Sequence, residues 1–335
     1  MSAEIAIDVR ALSKSFVVTE REPGLRAAVG NLVRRRTRTV HAVEDVTLTV
    51  ARGEVVGFLG ANGAGKTTVL KMLSGLLHPT SGAATVLGHV PARREREYLR
   101  RMALVMGNRH QLQWDLPASD SYELNRAIYQ VPPARFRRTR EELVELLEIG
   151  DLIRKPVRTL SLGERMKAEL VGSLLHRPEV LFLDEPTLGL DVTMQKRVRS
   201  FVAEYSRRHG ATVLLTSHYM ADVQALCRRV VVIHRGGLLF DGDLSALGEE
   251  FAAHREIEAT LDEVDPDLRG CGQVLSSEGG RVRLRVPRAT APAAIAKLLS
   301  EHNVLDLTVE APPVEDVIGQ VFSSGTAGAV AEVPR

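Results

Sequence analysis

The residues best suited to chemistry are Lys66, Thr67 and Thr68, directly after the run Gly60-Ala61-Asn62-Gly63-Ala64-Gly65, and the adjacent carboxylates Asp184-Glu185. Gly60 and Gly65 followed by Lys-Thr match the phosphate-loop pattern. In such a loop, backbone N–H groups turn inward around a phosphate, and the next helix adds the positive end of its dipole. Lys66 is then placed to neutralise β- and γ-phosphate oxygens, and the Thr67 hydroxyl to coordinate Mg²⁺. Asp184 closes the apolar run 180–183, so its carboxylate belongs at the C-terminal edge of a strand, beside that loop, where it can hold the same cation. Glu185 projects differently, toward the place of an attacking water. Together these groups are suited to phosphoryl transfer from a nucleoside triphosphate.

Such residues need a sheet to hold them. Residues 55–59 form a continuous apolar run into the glycine loop, and 67–77 read as a helix, giving strand, phosphate loop, helix. The short runs 180–183 and 213–215 fit parallel strands buried on both faces. Residues 5–9 and 43–50 alternate instead, as half-exposed antiparallel strands do. Between them, 17–40 form an insert bearing Arg34, Arg35, Arg36 and Arg38. It reads as a solvated arginine-rich excursion. The alternative is a short amphipathic helix through Leu25, Val29, Leu32 and Val33, able to touch anionic lipid or a partner. From about 95 to 172 the pattern is mainly helical, with Leu143, Leu146 and Leu147 on one face, and predicts a helical subdomain set between two core strands. Beyond 245 the strands 257–261, 282–286 and 304–309 and the helices 291–299 and 314–322 predict a small α+β domain over 246–322. A tail at 323–335, rich in glycine and alanine, is expected to be disordered.

Four further segments follow in order: 108–115, Leu160-Ser161-Leu162-Gly163-Glu164, Thr187-Leu188-Gly189-Leu190-Asp191, and Thr216-Ser217-His218. With the phosphate loop and Asp184-Glu185, the set resembles the nucleotide-binding subunit of an ABC transporter over residues 5–245. The resemblance implies an α/β phosphate-loop ATPase core with an antiparallel β part and an inserted helical subdomain, binding ATP and Mg²⁺. It implies that Glu185 polarises the attacking water and that His218 contacts the γ-phosphate and orients Glu185. Ser161 and Gly163 would face the γ-phosphate of a second protomer, and Asp191 would link the two active sites. The magnesium-sensing amide falls on Asn108, with Gln111 as its neighbour and substitute. Adenine would stack on Phe16, and Asn62, Gly63 and Thr68 complete the nucleotide contacts.

The chain departs from the family's Leu-Ser-Gly-Gly-Gln in carrying Leu162 and Glu164. Taken alone, Ser161 and Glu164 are a helix capping box. Trp114, the only tryptophan, reads equally as a permease anchor or as core.

Composition bounds the rest. A formal charge of +2, with 4 % aromatic residues, argues against a nucleic-acid platform. Cys227 and Cys271 are too far apart in sequence for a disulfide framework. No apolar run reaches the roughly 20 residues of a membrane span, and the N-terminus lacks a signal-peptide layout. The expectation is a peripheral subunit on the cytoplasmic face of the membrane, as a homodimer or heterodimer beneath a separate permease, with no nucleic acid. Similarity of the C-terminal domain and of the Ser-Leu-Gly-Glu-Arg-Met signature to drug and lipid exporters implies export. A soluble ATPase of this family acting on ribosomes or DNA, or a low-turnover regulator, are the alternatives.

Overall fold

The computed structural model describes residues 4–19, 37–107, 110–217, 219–251, 254–263 and 266–310. The chain divides into two compact units at Asp241/Gly242. The first carries, in order, β1 (Ile5–Thr19), β2 (Thr37–Ala51), β3 (Val55–Leu59), α1 (Lys66–Leu73), β4 (Ser81–Val86), α2 (Arg96–Leu99) and β5 (Met102–Met106). Then come α3 (Ala118–Ile128), α4 (Pro133–Leu147), α5 (Leu162–Leu174), β6 (Val180–Asp184), α6 (Val192–His209), β7 (Thr212–Thr216), α7 (Met220–Leu226), β8 (Arg229–His234) and β9 (Gly237–Asp243).

Two sheets build this unit. The antiparallel sheet runs β2-β1-β4. Val43, Val46, Leu48 and Val50 of β2 point inward while their neighbours stay outside, as the alternation predicts. The ladder is longer than expected, with Val17 opposite Thr39 and Thr19 opposite Thr37. Both margins of the expected insert are therefore paired strand. Its remainder, including Arg34, Arg35 and Arg36 and the alternative amphipathic helix, lies outside the described residues.

The second sheet runs β5-β6-β7-β3-β8-β9. The five strands from β5 to β8 are parallel, and every residue of β6 and β7 is buried. Val56 and Phe58 of β3 are buried in one cluster with Val69, Leu70 and Leu73 of α1. Each such side chain contributes about 1.5–3 kcal/mol by leaving water. α1 stops at Leu73, short of the expected 77, because Gly75 turns at φ 76 where a Cβ would meet the Pro91 carbonyl oxygen at 2.4 Å.

β5 lies inside the stretch read as helical, so the described helical insertion, α3 to α5, falls between β5 and β6. Met, Ala and Leu at 102–106 favour helix intrinsically, but parallel pairing with β6 overrides that preference.

The second unit holds α8 (Leu244–Phe251), β10 (His254–Leu261), β11 (Gln273–Glu278), β12 (Arg281–Pro287), α9 (Ala291–Glu301) and β13 (Val304–Glu310). Its antiparallel sheet runs β11-β12-β10-β13. Ile257, Ala259 and Leu261 pack with Val282, Leu284, Val286 and Leu298 of α9. On the other face Arg283 and Arg285 donate to the Glu256 carboxylate at 2.8 and 3.1 Å. The helix expected at 314–322 and the tail at 323–335 lie outside the described residues.

Candidate functional site

The C-terminal edges of β3, β7 and β6 lie side by side, which brings the glycine loop, Thr216 and Asp184 to one rim. The loop turns as its glycines allow. A Cβ at Gly60 would lie 2.5 Å from the Ile233 carbonyl oxygen, and one at Gly65 2.4 Å from that of Ala42. Gly65 also sits at φ 109, a backbone state that side chains disfavour. Asn62 and Gly63 are exposed at the loop tip, and Thr67 and Thr68 are half-buried in the first turn of α1. Lys66 is buried and donates to the carbonyl oxygens of Gly60 at 2.5 Å and Ala61 at 3.1 Å. Burial pushes its pKa down, while the charges of Glu185 and Asp184 pull it back up.

Thr67 Oγ1 donates to the Asp184 carboxylate at 3.0 and 2.9 Å, and Thr216 Oγ1 donates to Asp184 Oδ1 at 2.7 Å. A hydroxyl and a carboxylate converging at the mouth of a phosphate loop are the hard-oxygen donors Mg²⁺ takes, so these residues fit the cation. Glu185 is half-buried and holds φ 54, a strained state for a non-glycine residue. Its N–H is fixed by the Thr216 carbonyl oxygen at 3.0 Å and by Thr216 Oγ1 at 3.1 Å. Gly107 closes the rim. Its N–H donates to the Asp184 carbonyl oxygen at 2.9 Å, and a Cβ there would lie 2.1 Å from that of Glu185. Thr216 and Gly107 are thus site residues that motif reading passed over. Their signal was only adjacency, one being the first residue of Thr-Ser-His and the other the glycine before Asn108.

Asn108 and His218 lie outside the described residues. Their approaches are built. Ser217 Oγ donates to Asp222 Oδ2 at 2.7 Å, the Thr187 hydroxyl bonds the same oxygen, and Arg199 lies 3.5 Å from Oδ1. Asp222, 1 % exposed, therefore ties the segment before His218 to the segment before Asp191, a link no motif signals. The Gln111 amide is engaged elsewhere: Nε2 donates to the Leu104 carbonyl oxygen at 2.5 Å, and Oε1 accepts from Ser173 at 3.5 Å. Trp114 is 47 % exposed, which removes the core-packing alternative.

A second cluster forms around α5 and α6. Ser161 is the N-cap of α5 with the capping box complete: Glu164 N–H to Ser161 Oγ at 3.3 Å, and Ser161 N–H to the Glu164 carboxylate at 2.8 Å. Those bonds from Ser161 hold the Glu164 carboxyl below its usual range, so its charge is spent on the helix end. Asp191 caps α6 by accepting from Met194 N–H at 2.9 Å. Gly163 faces Met194, where a Cβ would come within 2.8 Å, and Gly189 faces Leu162. Ser161 and Asp191 are therefore exposed side by side, with Gly163 buried against Met194 between them. Phe16, on β1 opposite Val40, is 38 % exposed with Lys14 Nζ 5.3 Å from its ring centre.

Comparison with known proteins agrees with this arrangement. Residues 43–188 match the ABC transporter family model, and residues 253–310 match the EvrA-like ABC transporter C-terminal domain. The ABC transporter ATP-binding protein NatA of Bacillus subtilis is 36 % identical over 64 % of this chain and 87 % of its own length. The daunorubicin resistance ATP-binding protein DrrA3 of Streptomyces coeruleorubidus is 37 % identical over 70 % of this chain and 71 % of its own. A solved ATP-binding subunit of an ABC transporter superposes with a TM-score of 0.62 at 26 % identity, covering 73 % of this chain and 93 % of that one. With the phosphate loop, its carboxylate partner and the α5 cap in place, the chain belongs to the ABC transporter ATP-binding proteins and is an ATP-hydrolysing subunit of that family.

Proposed function

We propose that this subunit powers export through a separate membrane permease, as one of two ATPase protomers that close over ATP and Mg²⁺ at the cytoplasmic face of the membrane. The observation that carries the chemistry is the convergence of Thr67 and Thr216 on Asp184 with Glu185 fixed beside them. Mg²⁺ held by Thr67 and Asp184 would supply neutralisation of the phosphate charge. Gly60 to Thr68 wrap the phosphates, and Lys66 exchanges its bonds to Gly60 and Ala61 for β- and γ-phosphate oxygens. Glu185 takes the proton of the attacking water, and His218, with Asn108, reads the γ-phosphate. Phe16 stacks on adenine. Ser161 and Gly163 of one protomer cover the γ-phosphate bound by the other, and Asp191 joins the two sites.

Export is supported by the resistance protein among the relatives, and the second unit matches the EvrA-like ABC transporter C-terminal domain. No helix among the described residues is long and apolar enough to cross a membrane, which is in keeping with a chain that docks on another. No nucleic-acid partner is part of the proposal. The deciding experiment is Glu185→Gln. ATP binding should persist while turnover falls at least about 10²-fold, the scale of a lost general base. Turnover within about tenfold of wild type would show that Glu185 is not the base.

A further inference from the structure

One helix reaches both ends of the proposed machine. α5 starts at the Ser161 cap, and along one stripe its residues 165, 169, 172 and 173 grip the segment 111–114. Arg165 lies over the Trp114 ring at 5.3 Å. Gly172 leaves room for Leu112, whose Cδ2 would be 3.0 Å from a Cβ there. Between them sits Glu169, with its side chain only 4 % exposed. Its two oxygens accept the Gln111 N–H at 3.0 and 3.1 Å, and Oε1 accepts the Leu112 N–H at 3.3 Å. A buried carboxylate is costly unless its charge is met. Here the cost is offset by two main-chain amides of a loop, which ties that loop to the helix. Burial pushes the Glu169 carboxyl up and the two amides pull it back, with Arg165 assisting.

We propose that Glu169 is a positioning residue that makes the loop 111–114 follow α5 when nucleotide engages the Ser161 end. It thereby carries ATP occupancy to the exposed, permease-facing Trp114. This rests on the functional reading above. Neither the phosphate loop nor the metal-binding pair contacts Glu169 through any described bond, so its removal should uncouple the loop without weakening ATP binding.

Trp114 is the only tryptophan, so its emission reports the loop directly. The test uses the full chain bearing Glu185→Gln, titrated with Mg-ATP, with occupancy measured separately by equilibrium dialysis of radiolabelled ATP. The parent should bind ATP and change its Trp114 emission. Adding Glu169→Gln or Glu169→Ala should leave ATP affinity near that of the parent while removing most of the emission change. Glu169→Gln keeps the side-chain shape and carries the test if Glu169→Ala fails to fold. A full emission change in the variants would overturn the proposal. So would an emission loss that merely tracks lost ATP binding, or a parent that binds ATP with no emission change. A parent that binds no ATP would instead defeat the functional reading itself.

Discussion

Asp184 is the residue on which the site turns, because two hydroxyls from different elements donate to one carboxylate. Asp184→Asn keeps the shape and removes the charge. Mg²⁺ should then no longer strengthen ATP binding, while binding in chelator stays near wild type; an intact Mg²⁺ effect in a calorimetric titration would move the cation elsewhere. Thr216→Val tests the other side. It removes a buried hydroxyl that donates to Asp184 and accepts from the Glu185 N–H, leaving both with one partner fewer. Stability should fall by about 1–3 kcal/mol in urea unfolding. Turnover should fall more than ATP affinity, since Glu185 loses part of the anchor for its strained backbone. Lys66, Thr67, Asp184 and Glu185 were legible in the sequence because phosphate chemistry dictates residue types at fixed spacing. Thr216, Gly107, Asp222 and Glu169 were not, because each acts through a neighbour brought close only by folding. A buried carboxylate in a helix carries no mark to distinguish it from a solvated one.

At the scale of elements, the sequence was most readable where burial was either complete or strictly alternating. The alternation of β2 and the solid apolar runs of β3, β6 and β7 placed those strands, and Gly75 explains why α1 ends early. β11 escaped because all six of its residues are exposed at a sheet edge, leaving no inward face to alternate with. β5 escaped because its residues favour helix, and only its partner β6 decides the matter. The join between α5 and β5 rests on His176, buried just past the helix end. Its Nε2 bonds the Met102 carbonyl oxygen at 3.0 Å, and its ring stacks on Tyr129 at 3.9 Å. Burial pushes its pKa down to about 4. The unfolded chain takes up this proton near pH 6.5, and the folded chain refuses it until about pH 4. Over that interval the unfolded state binds more protons, so the contribution is complete above about pH 6.5 and is lost as pH falls toward 4. The loss should reach on the order of 3 kcal/mol. His176→Gln, which keeps a donor for Met102, should flatten the dependence of the urea midpoint between pH 7 and 4.5; an unchanged slope would assign acid sensitivity to other groups.

The whole molecule has to explain a surface that one chain leaves uncovered. Leu162, Leu188 and Val192 are 38, 38 and 65 % exposed, and they surround Ser161, Gly163 and Asp191, the residues proposed to act on a second protomer. Leu162 stands where the family carries glycine, and it packs against Gly189, so the two loops already present one apolar face. Single exposed apolar residues need no explanation, but apolar residues grouped around two polar caps are where the proposed second protomer would dock. A nucleotide shared across that face would bring like copies together and make binding at one site favour the other. With Glu185→Gln holding ATP intact, the chain should sediment as a dimer in Mg-ATP and as a monomer without it. ATP binding should then show a Hill coefficient approaching about 2, the number of sites. Val192→Asp places an unpaired charge on that face, at an exposed residue with no part in the phosphate loop. It should return the Hill coefficient to about 1 and keep the chain monomeric in ATP, with the affinity of the single site retained. A dimer that survives Val192→Asp would show that the protomers meet through another surface, and Ser161 would then be a helix cap without a partner's nucleotide to cover.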